Sequence, residues 1–248
     1  MSDESDIEKL YQDVHDKTKQ FGLSEKFPVI PPVFKKYKSK KIPLSREFKE
    51  SKVSVENTIL SRESRRLYKG LVSIEDVSKL LFFANGFKNF FNSDEFGVSY
   101  QSTAPSAGSR HSIELYVILR NIKGVSDGIY HYDVENHALE VLEETTVPSM
   151  TIFKLFLKQD FTQANIILLM TSIHSRSSWK YGPRGYRFIH LDAGHIGQNV
   201  YLIGETMNLA VSAIGGWDDS IAEKLIHIDG KKEFMIYAMA IGKRKETP

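Results

Sequence analysis

The stretch Ser177–Phe188, with the sequence SSWKYGPRGYRF, gathers cationic and aromatic side chains that could do chemistry together. One lysine, two arginines and four aromatic residues fall within twelve positions. The apolar run NIILLMTSI precedes this stretch and the glycine-spaced segment LDAGHIGQNVYLIGETM follows it, and both are typical of a protein core. Three functions fit this composition: a surface that stacks nucleic-acid bases, a solvated loop, or the wall of a pocket for an aromatic anionic ligand. These residues alone leave all three open.

Several other kinds of site are not supported by the residues nearby. The sequence GHIG lacks the G-x-G-x-x-G spacing of a dinucleotide-binding fingerprint. His190 and His195 are five residues apart and do not share one helical face, so we interpret them as structural rather than metal-binding. The chain has no cysteine, which excludes disulfides, thiolate nucleophiles and Cys-ligated zinc. We therefore expect no metal site.

The composition is that of an ordinary globular protein. Of 248 residues, 41% are hydrophobic and 26% are charged. A net charge of only +2 argues against a dedicated nucleic-acid binder, which needs a strongly basic face. The first twenty residues are polar and acidic, unlike a signal or transit peptide, and the apolar runs are too short to span a membrane. We expect a soluble, cytoplasmic protein with no nucleic-acid or membrane partner.

Hydrophobic periodicity predicts one α+β domain over residues 46–248, behind an N-terminal arm over residues 1–45. The arm is predicted to be a helix ending near Gly22, followed by an extended segment rich in proline and lysine. In the domain, a helix is expected to start at Ser54, and another runs from Ser73 to Gly86 with Asp76 completing an imperfect capping box. A third helix is expected over 149–161, and a fourth follows the Ser177–Phe188 stretch. Strands are expected at IELYVILR, IYHYD, HALEVLEE, NIILLMTSI and EFMIYAMAIG.

Gly197 and Gly204 fall seven residues apart on the fourth predicted helix. Glycine costs a helix up to ~1 kcal/mol relative to alanine. We therefore expect a neighbouring helix or a flat ligand to pack very close to this helix.

Four separated stretches together resemble one family. They are LSRESRRLYKG, which ends at residue 70, STAPSAGSRHSIELYVILRNIKGVSDGIYHYD (102–133), RSSWKYGPRGYRFIHLDAGHIGQN (176–199) and SAIGGWDD (212–219). In this order they resemble the motifs of the SagB-type dehydrogenase branch of the nitroreductase superfamily, which includes the azoline oxidases of peptide biosynthesis. The resemblance covers roughly residues 40 to 245. It implies an FMN-dependent oxidoreductase with the nitroreductase α+β fold: a central, mainly antiparallel sheet flanked by helices, in an intertwined homodimer with FMN at the subunit interface.

The resemblance also implies a set of cofactor-binding positions: Arg62, Ser64, Arg66, Pro105, Ser106, Ala107, Gly108, Ile214, Gly215, Gly216, Lys243 and Arg244. The first three would hold the FMN phosphate and ribityl chain, and guanidinium forks and a hydroxyl suit those oxygens. The PSAG turn, from Pro105, would lie beside the flavin ring, and the residues from Ile214 would run along its other side. Glu63 departs from the family, where an arginine is common. The last two positions would add cations near the phosphate.

In azoline oxidases an adjacent lysine–tyrosine pair is implicated in catalysis, and Lys180 and Tyr181 fall on that place. A lysine amine is mostly protonated at neutral pH. Lys180 would therefore act as a base only where desolvation or a nearby cation, such as Arg184 or Arg187, favours its neutral form. Tyr181 would orient the substrate or relay the proton.

The resemblance leaves the substrate open. It is compatible with a peptide-borne azoline, handled in a complex with a cyclodehydratase, and with a small molecule handled by a stand-alone enzyme. Two other functions fit: an NAD(P)H-dependent reductase of nitroaromatics or quinones, which would not need Lys180, and a non-catalytic protein that binds flavin or nucleic acid.

Overall fold

The computed structural model describes residues 4–20, 29–93 and 97–245. Its helices are α1 (Glu4–Lys19), α2 (Val55–Ser61), α3 (Ile74–Asn85), α4 (Ser149–Leu155), α5 (His174–Tyr181), α6 (Gly185–Thr206) and α7 (Asp219–Ile226). Its strands are β1 (Lys41–Pro43), β2 (Val72–Ser73), β3 (Phe87–Ser93), β4 (Gly97–Ser102), β5 (Ile113–Leu119), β6 (Ile122–Lys123), β7 (Gly128–Asp133), β8 (Ala138–Glu143), β9 (Ile166–Ile173), β10 (Leu209–Ile214) and β11 (Glu233–Lys243). Single 3-10 turns cover 107–109 and 182–184.

The central sheet has seven strands in the order β1-β8-β7-β5-β9-β11-β10, and every neighbouring pair is antiparallel. This confirms the predicted α+β class with a central antiparallel sheet flanked by helices. The short strands β2 and β6 pair in parallel away from it, and β3 and β4 form a separate hairpin.

Helices cover both faces of the central sheet, which explains the continuous apolar runs of its middle strands. Along β5, Leu115 and Val117 lie in the cluster that contains buried residues of α3 and α6. Tyr116 and Ile118 point to the opposite face, in the cluster with buried residues of α4 and α7. The alternation of side chains along a strand thus fills two cores from one apolar sequence.

The predicted start of α3 is confirmed by its cap. The Ser73 side chain accepts a hydrogen bond from the Asp76 backbone N–H, and the Asp76 carboxylate accepts one from the Ser73 backbone N–H. The capping box is therefore complete, although aspartate replaces the usual glutamate. Gly86 ends the helix in an extended conformation (φ −72°, ψ 147°).

The two glycines of α6 do lie at close contacts, but with the sheet. A β-carbon at Gly197 would meet the Tyr237 ring at 2.7 Å, and one at Gly204 would meet the Val211 side chain at 2.6 Å. The prediction of close packing is confirmed, and the expected neighbour was wrong: side chains of β11 and β10 take the place of a helix or flat ligand.

The Ser177–Phe188 stretch is helical almost throughout, forming the end of α5, a 3-10 turn and the start of α6. Helix α4 ends at Leu155, earlier than predicted, because Leu157 and Lys158 adopt positive φ angles. The β3–β4 hairpin was not predicted. The predicted cap at Gly22 lies outside the described residues.

The arm is bound to the body through its extended segment. The buried side chains of Arg110 and Arg176 donate hydrogen bonds to the carbonyls of Pro31 and Pro32, respectively. Strand β1 then pairs with the edge strand β8. In the described part of the chain, no helix combines the length and apolar character needed to cross a bilayer.

Candidate functional site

The R-x-S-x-R segment lies between α6 and β10: Arg62 and Ser64 contact one side chain of α6, and Arg66 contacts β10. Arg62 caps the end of α2, and its guanidinium lies 5.0 Å from the centre of the Tyr201 ring. The Ser64 hydroxyl is hydrogen-bonded to the Tyr201 hydroxyl at 2.8 Å. Arg66 donates from Nε to the Ser212 hydroxyl at 3.1 Å. The local fold thus presents two cations and a hydroxyl beside the end of β10.

Tyr201 also connects Arg62 and Ser64 to strand β10. Its hydroxyl accepts a hydrogen bond of 2.8 Å from the backbone N–H of Ala213, the residue before Ile214. The Ile214–Gly216 turn therefore starts directly beside Ser64. A β-carbon at Gly215 would meet nothing within 4 Å, so the turn borders open space. We call Arg62, Ser64, Arg66, Tyr201 and Ile214–Gly216 the arginine cluster.

The two C-terminal cations, Lys243 and Arg244, have different neighbours. Arg244 shares the Glu205 carboxylate with Arg65, and each guanidinium is 2.6 Å from Oε2. The Lys243 side chain packs near Gly70, where a β-carbon would meet Lys243 Cγ at 3.2 Å. The structure thus brings Arg244 next to Arg65, with one carboxylate shared between the two cations, and the predicted roles of Lys243 and Arg244 stay predictions.

The PSAG turn is held by a carboxylate of α6. Asp192 accepts hydrogen bonds from the Ser106 hydroxyl at 2.7 Å and from the Ala107 backbone N–H at 3.1 Å. The Ser106 oxygen in turn accepts one from the His111 N–H at 2.9 Å. Burial raises the pKa of Asp192, although these two hydrogen bonds act in the opposite direction. Asp192 is thus a buried acid that fixes the turn through two accepted hydrogen bonds.

Lys180 and Tyr181 lie against the same turn. Gly108 has a φ of 56°, in the left-handed region, and a β-carbon there would collide with the Tyr181 hydroxyl. The same β-carbon would lie 3.4 Å from Lys180 Cδ. The Lys180 amine is 5.7 Å from the centre of the Tyr181 ring. We call Pro105–Gly108, Lys180, Tyr181 and Asp192 the lysine cluster.

Arg184 and Arg187 make their described contacts with α1. Arg187 donates from Nε to the Thr18 hydroxyl at 2.9 Å, and Arg184 donates to the Lys19 carbonyl at 3.3 Å. These contacts give no support to the expectation that the two arginines favour the neutral form of Lys180.

The two clusters lie on different sides of α6. Asp192 and Tyr201 are nine residues apart, which is two and a half helical turns and about 14 Å along the axis. Two and a half turns place the side chains on opposite sides of the helix, with α6 itself between them. Within the described residues, the structure thus joins 62–66 to 212–216 and 105–108 to 180–181, and keeps the two groups apart.

Sequence reasoning missed both Asp192 and Tyr201. Each is a polar residue at a buried position of a helix, 5% and 8% exposed. A buried polar side chain needs a hydrogen-bond partner, so these positions carried a signal of a structural or functional contact. The partners themselves come from distant segments and could not be read from the helix alone.

A model of the nitroreductase family matches residues 59–243. A protein of Methanocaldococcus jannaschii named as a candidate nitroreductase, MJ1384, is 31% identical over 197 residues, covering 78% of this chain and 93% of its own length. The trifolitoxin-processing protein TfxB of Rhizobium leguminosarum bv. trifolii is 29% identical, over 64% of this chain and 44% of its own. The microcin B17-processing protein McbC of Escherichia coli is 26% identical, over 65% of this chain and 58% of its own. The chain therefore spans about half the length of these two processing proteins.

Solved structures share the fold. The crystal structure of a candidate nitroreductase from Anabaena variabilis superposes with a TM-score of 0.73 at 25% identity, covering 93% of this chain and 45% of that chain. The E. coli microcin synthetase McbBCD complex with truncated pro-MccB17 bound contains a chain that superposes with a TM-score of 0.59 at 21% identity, covering 98% and 95% of the two chains.

Proposed function

The chain belongs to the nitroreductase family, a superfamily of oxidoreductases, and from this premise we propose that it is an FMN-dependent oxidoreductase of the SagB type that oxidises azoline rings to azoles. One observation carries the proposal: Lys180 and Tyr181 pack directly on the PSAG turn, at Gly108. A lysine beside a turn whose backbone a flat ring can approach is the arrangement that a coupled removal of proton and hydride requires.

The residues present suit FMN. Arg65 and Arg244 share the Glu205 carboxylate, and Arg65 also pairs with Glu63, whereas Arg62 contacts an aromatic ring and Arg66 a hydroxyl. Arg62 and Arg66 would hold the phosphate, with Ser64 on the ribityl chain. The turn at Gly215 borders open space and so has room for one face of a flat ring, whereas the Gly108 end of the PSAG turn is covered by Tyr181 and Lys180, the two side chains proposed to act on the substrate.

The separation of the two clusters supports a site built from two copies. A single flavin cannot easily reach both sides of α6 within one chain. We infer that the arginine cluster of one copy faces the lysine cluster of another, which makes the homodimer the binding unit.

The chain's own chemistry is a proton transfer. When bound, FMN supplies the hydride acceptor. The neutral Lys180 amine takes the proton from the ring carbon adjacent to the one that loses hydride, so the ring loses two electrons and two hydrogens. Tyr181 orients the ring by its hydroxyl, which is fixed against Gly108.

The names of the relatives support the substrate class. TfxB and McbC are processing proteins of trifolitoxin and microcin B17, and McbC's name recurs in a synthetase complex solved with a truncated precursor. By extension the substrate here is an azoline within a peptide, and a cyclodehydratase that forms the azoline is the expected partner.

A second function is favoured by a different relative. MJ1384, the 31% identical protein, is named as a candidate nitroreductase and is covered over 93% of its length. An NAD(P)H-dependent reductase of nitroaromatics or quinones would use the same cofactor and would not need Lys180.

Comparing Lys180→Ala with the wild type separates the two functions. We expect the variant to keep FMN and to lose azoline oxidation by at least about 100-fold, the range of a general base. Quinone reduction by NADPH should be unchanged. The control is Lys38→Ala, an exposed lysine of the arm. Full azoline turnover by Lys180→Ala with FMN bound would contradict the assignment of Lys180 as the base.

A further inference from the structure

Helix α1 carries an apolar stripe that the described part of its own chain leaves exposed. Ile7, Leu10, Tyr11 and Val14 follow at i, i+3, i+4 and i+7, which places them on one helical face. They are 45%, 60%, 75% and 44% exposed. A helix of 16 residues is marginal in water and draws most of its stability from packing an apolar face. The stripe therefore needs a partner surface.

The described contacts of α1 with the body lie in its last turn. Arg187 donates to the Thr18 hydroxyl and, at 2.8 Å, to the His15 carbonyl, and Arg184 donates to the Lys19 carbonyl. Cations at the carbonyl end of a helix are favourable. The attachment fixes the carboxyl end of α1 at the start of α6 and leaves the stripe outside the contact.

A groove of about 450 Å³ lies elsewhere on the molecule, between the segment 48–55, α3 and α6. Its wall is mostly apolar, and its apolar members are Phe48, Val53, Val55, Phe83, Leu202 and Ile203. Val53 and Val55 are 48% and 66% exposed. Lys49, Glu50 and Lys79 also line it. An apolar groove of this kind is the usual receptor for an amphipathic helix.

We propose that α1 of one copy lies in this groove of a second copy of the same chain. The apolar stripe would cover the apolar wall. Over Glu4–Val14 the helix has four acidic residues and one lysine, whereas the groove wall has two lysines and one glutamate. The two surfaces are thus complementary in both hydrophobicity and charge.

The placement of the two features favours a second copy over the same chain. Helix α1 is attached at residues 184–187, the first turn of α6, while the groove is formed by residues 199–206 at the other end of α6. Residues 187 and 199 are about 18 Å apart along the helix axis. A two-fold axis that pairs two α6 helices antiparallel would bring the start of one beside the end of the other.

Helix α6 has an outer face on which such a pair could form. Leu191, His195, Gln198 and Leu202 follow at spacings of four, three and four, which places them on one face of the helix. Leu191 is 57% exposed. The inference rests on the homodimer given under the proposed function and does not depend on FMN or on Lys180.

Disulfide trapping tests it, because the chain has no cysteine of its own. Leu10→Cys and Leu202→Cys are made in separate proteins, mixed and oxidised. We expect a disulfide-linked dimer on a non-reducing gel. Mixing Leu10→Cys with Leu157→Cys, which is 57% exposed and follows α4, is the matched control and should give no link. Val53→Cys, on the groove wall, replaces Leu202→Cys if that variant does not fold.

Two outcomes would overturn the proposal. If the mixture gives no link while the double variant Leu10→Cys/Leu202→Cys gives a fast-migrating monomer, α1 folds onto its own groove. If neither sample forms a link, the stripe binds another partner. The flavin absorption of the same samples reports on the proposed function separately, so the two can fail independently.

Discussion

At the scale of single residues, Asp192 is the side chain on which the geometry of the lysine cluster depends. It accepts hydrogen bonds from Ser106 and Ala107, the two residues before Gly108. A hydrogen bond contributes about 0.5–1.5 kcal/mol, Asp192 accepts two of them, and removing the acceptor leaves partly buried donors without a partner.

We predict that Asp192→Ala lowers the free energy of unfolding by about 1.5–3 kcal/mol and weakens FMN binding at least about tenfold. Urea denaturation and a fluorescence titration with FMN would measure the two effects. Glu47→Ala, at an exposed position outside both clusters, is the control. Unchanged FMN affinity in a folded Asp192→Ala protein would show that the turn does not depend on this carboxylate.

The sequence identifies those site residues that lie in short motifs of fixed order. Lys180 and Tyr181 lie beside Gly108, a residue of another motif, whereas Arg62 and Ser64 contact Tyr201, which lies outside the motifs. Tyr201 joins two motifs that are over 140 residues apart in sequence, Ser64 and Ala213 to either side of it. Such a link is a property of the tertiary fold, and no local pattern encodes it.

At the scale of elements, a buried chain of charges attaches the arm to the sheet and to α5. Arg176 of α5 pairs with Glu114 of β5 at 2.6 Å. His131 of β7 lies between Glu114 and Glu140 of β8, with 2.8 Å from each ring nitrogen to a carboxylate oxygen. Lys41 of β1 pairs with Glu140 at 2.9 Å. Two carboxylates around one imidazole require both ring nitrogens to be protonated.

These buried ion pairs make the free energy of unfolding depend on pH. Burial alone would lower the pKa of His131, but the hydrogen bonds and charges of Glu114 and Glu140 outweigh it and raise the pKa above 6.5. The folded state therefore binds the proton more tightly than the unfolded state does. The stabilisation is fully present below pH 6.5 and is lost as the pH rises through the folded-state pKa.

We predict that the wild type loses unfolding free energy as the pH rises above 6.5 and through the folded-state pKa of His131, and that His131→Gln shows a much flatter profile over this rise. At about pH 6 the variant should be less stable by about 3 kcal/mol, the cost of breaking a buried ion pair. Denaturation at several pH values measures both, with His190→Gln at an exposed position as the control. Parallel profiles for wild type and His131→Gln would exclude the imidazolium as the cause.

Element prediction succeeded where one chain segment determines its own structure. The cap of α3 and the buried strands β5, β9 and β11 follow from local residues and periodicity. The β3–β4 hairpin has no tight-turn signal and lacks a clean apolar alternation, so it was missed. For the stretch 177–188 the composition leaves a nucleic-acid surface, a solvated loop and a pocket wall open, because its two glycines and proline mask a helix–turn–helix that forms by packing α5 on α6.

At the scale of the whole molecule, the two clusters of the candidate site lie at different places in one chain. Helix α6 carries the lysine cluster near its start and the arginine cluster near its end, on opposite sides. Family membership and the antiparallel core follow from the sequence, and the pairing of two copies does not, because a surface pattern alone does not specify its partner. The proposed dimer joins the two clusters across the interface.

The proposal that this protein binds FMN is tested most directly by the absorption spectrum of the purified protein during a titration with FMN. We predict a yellow protein with flavin absorption bands and with one FMN per chain at saturation. On denaturation, the FMN and its absorption should pass into the filtrate. Arg66→Ala and Gly108→Leu, one in each cluster, should each weaken FMN binding. A correctly folded protein that binds no FMN at any accessible concentration would contradict the proposal of an FMN-dependent oxidoreductase.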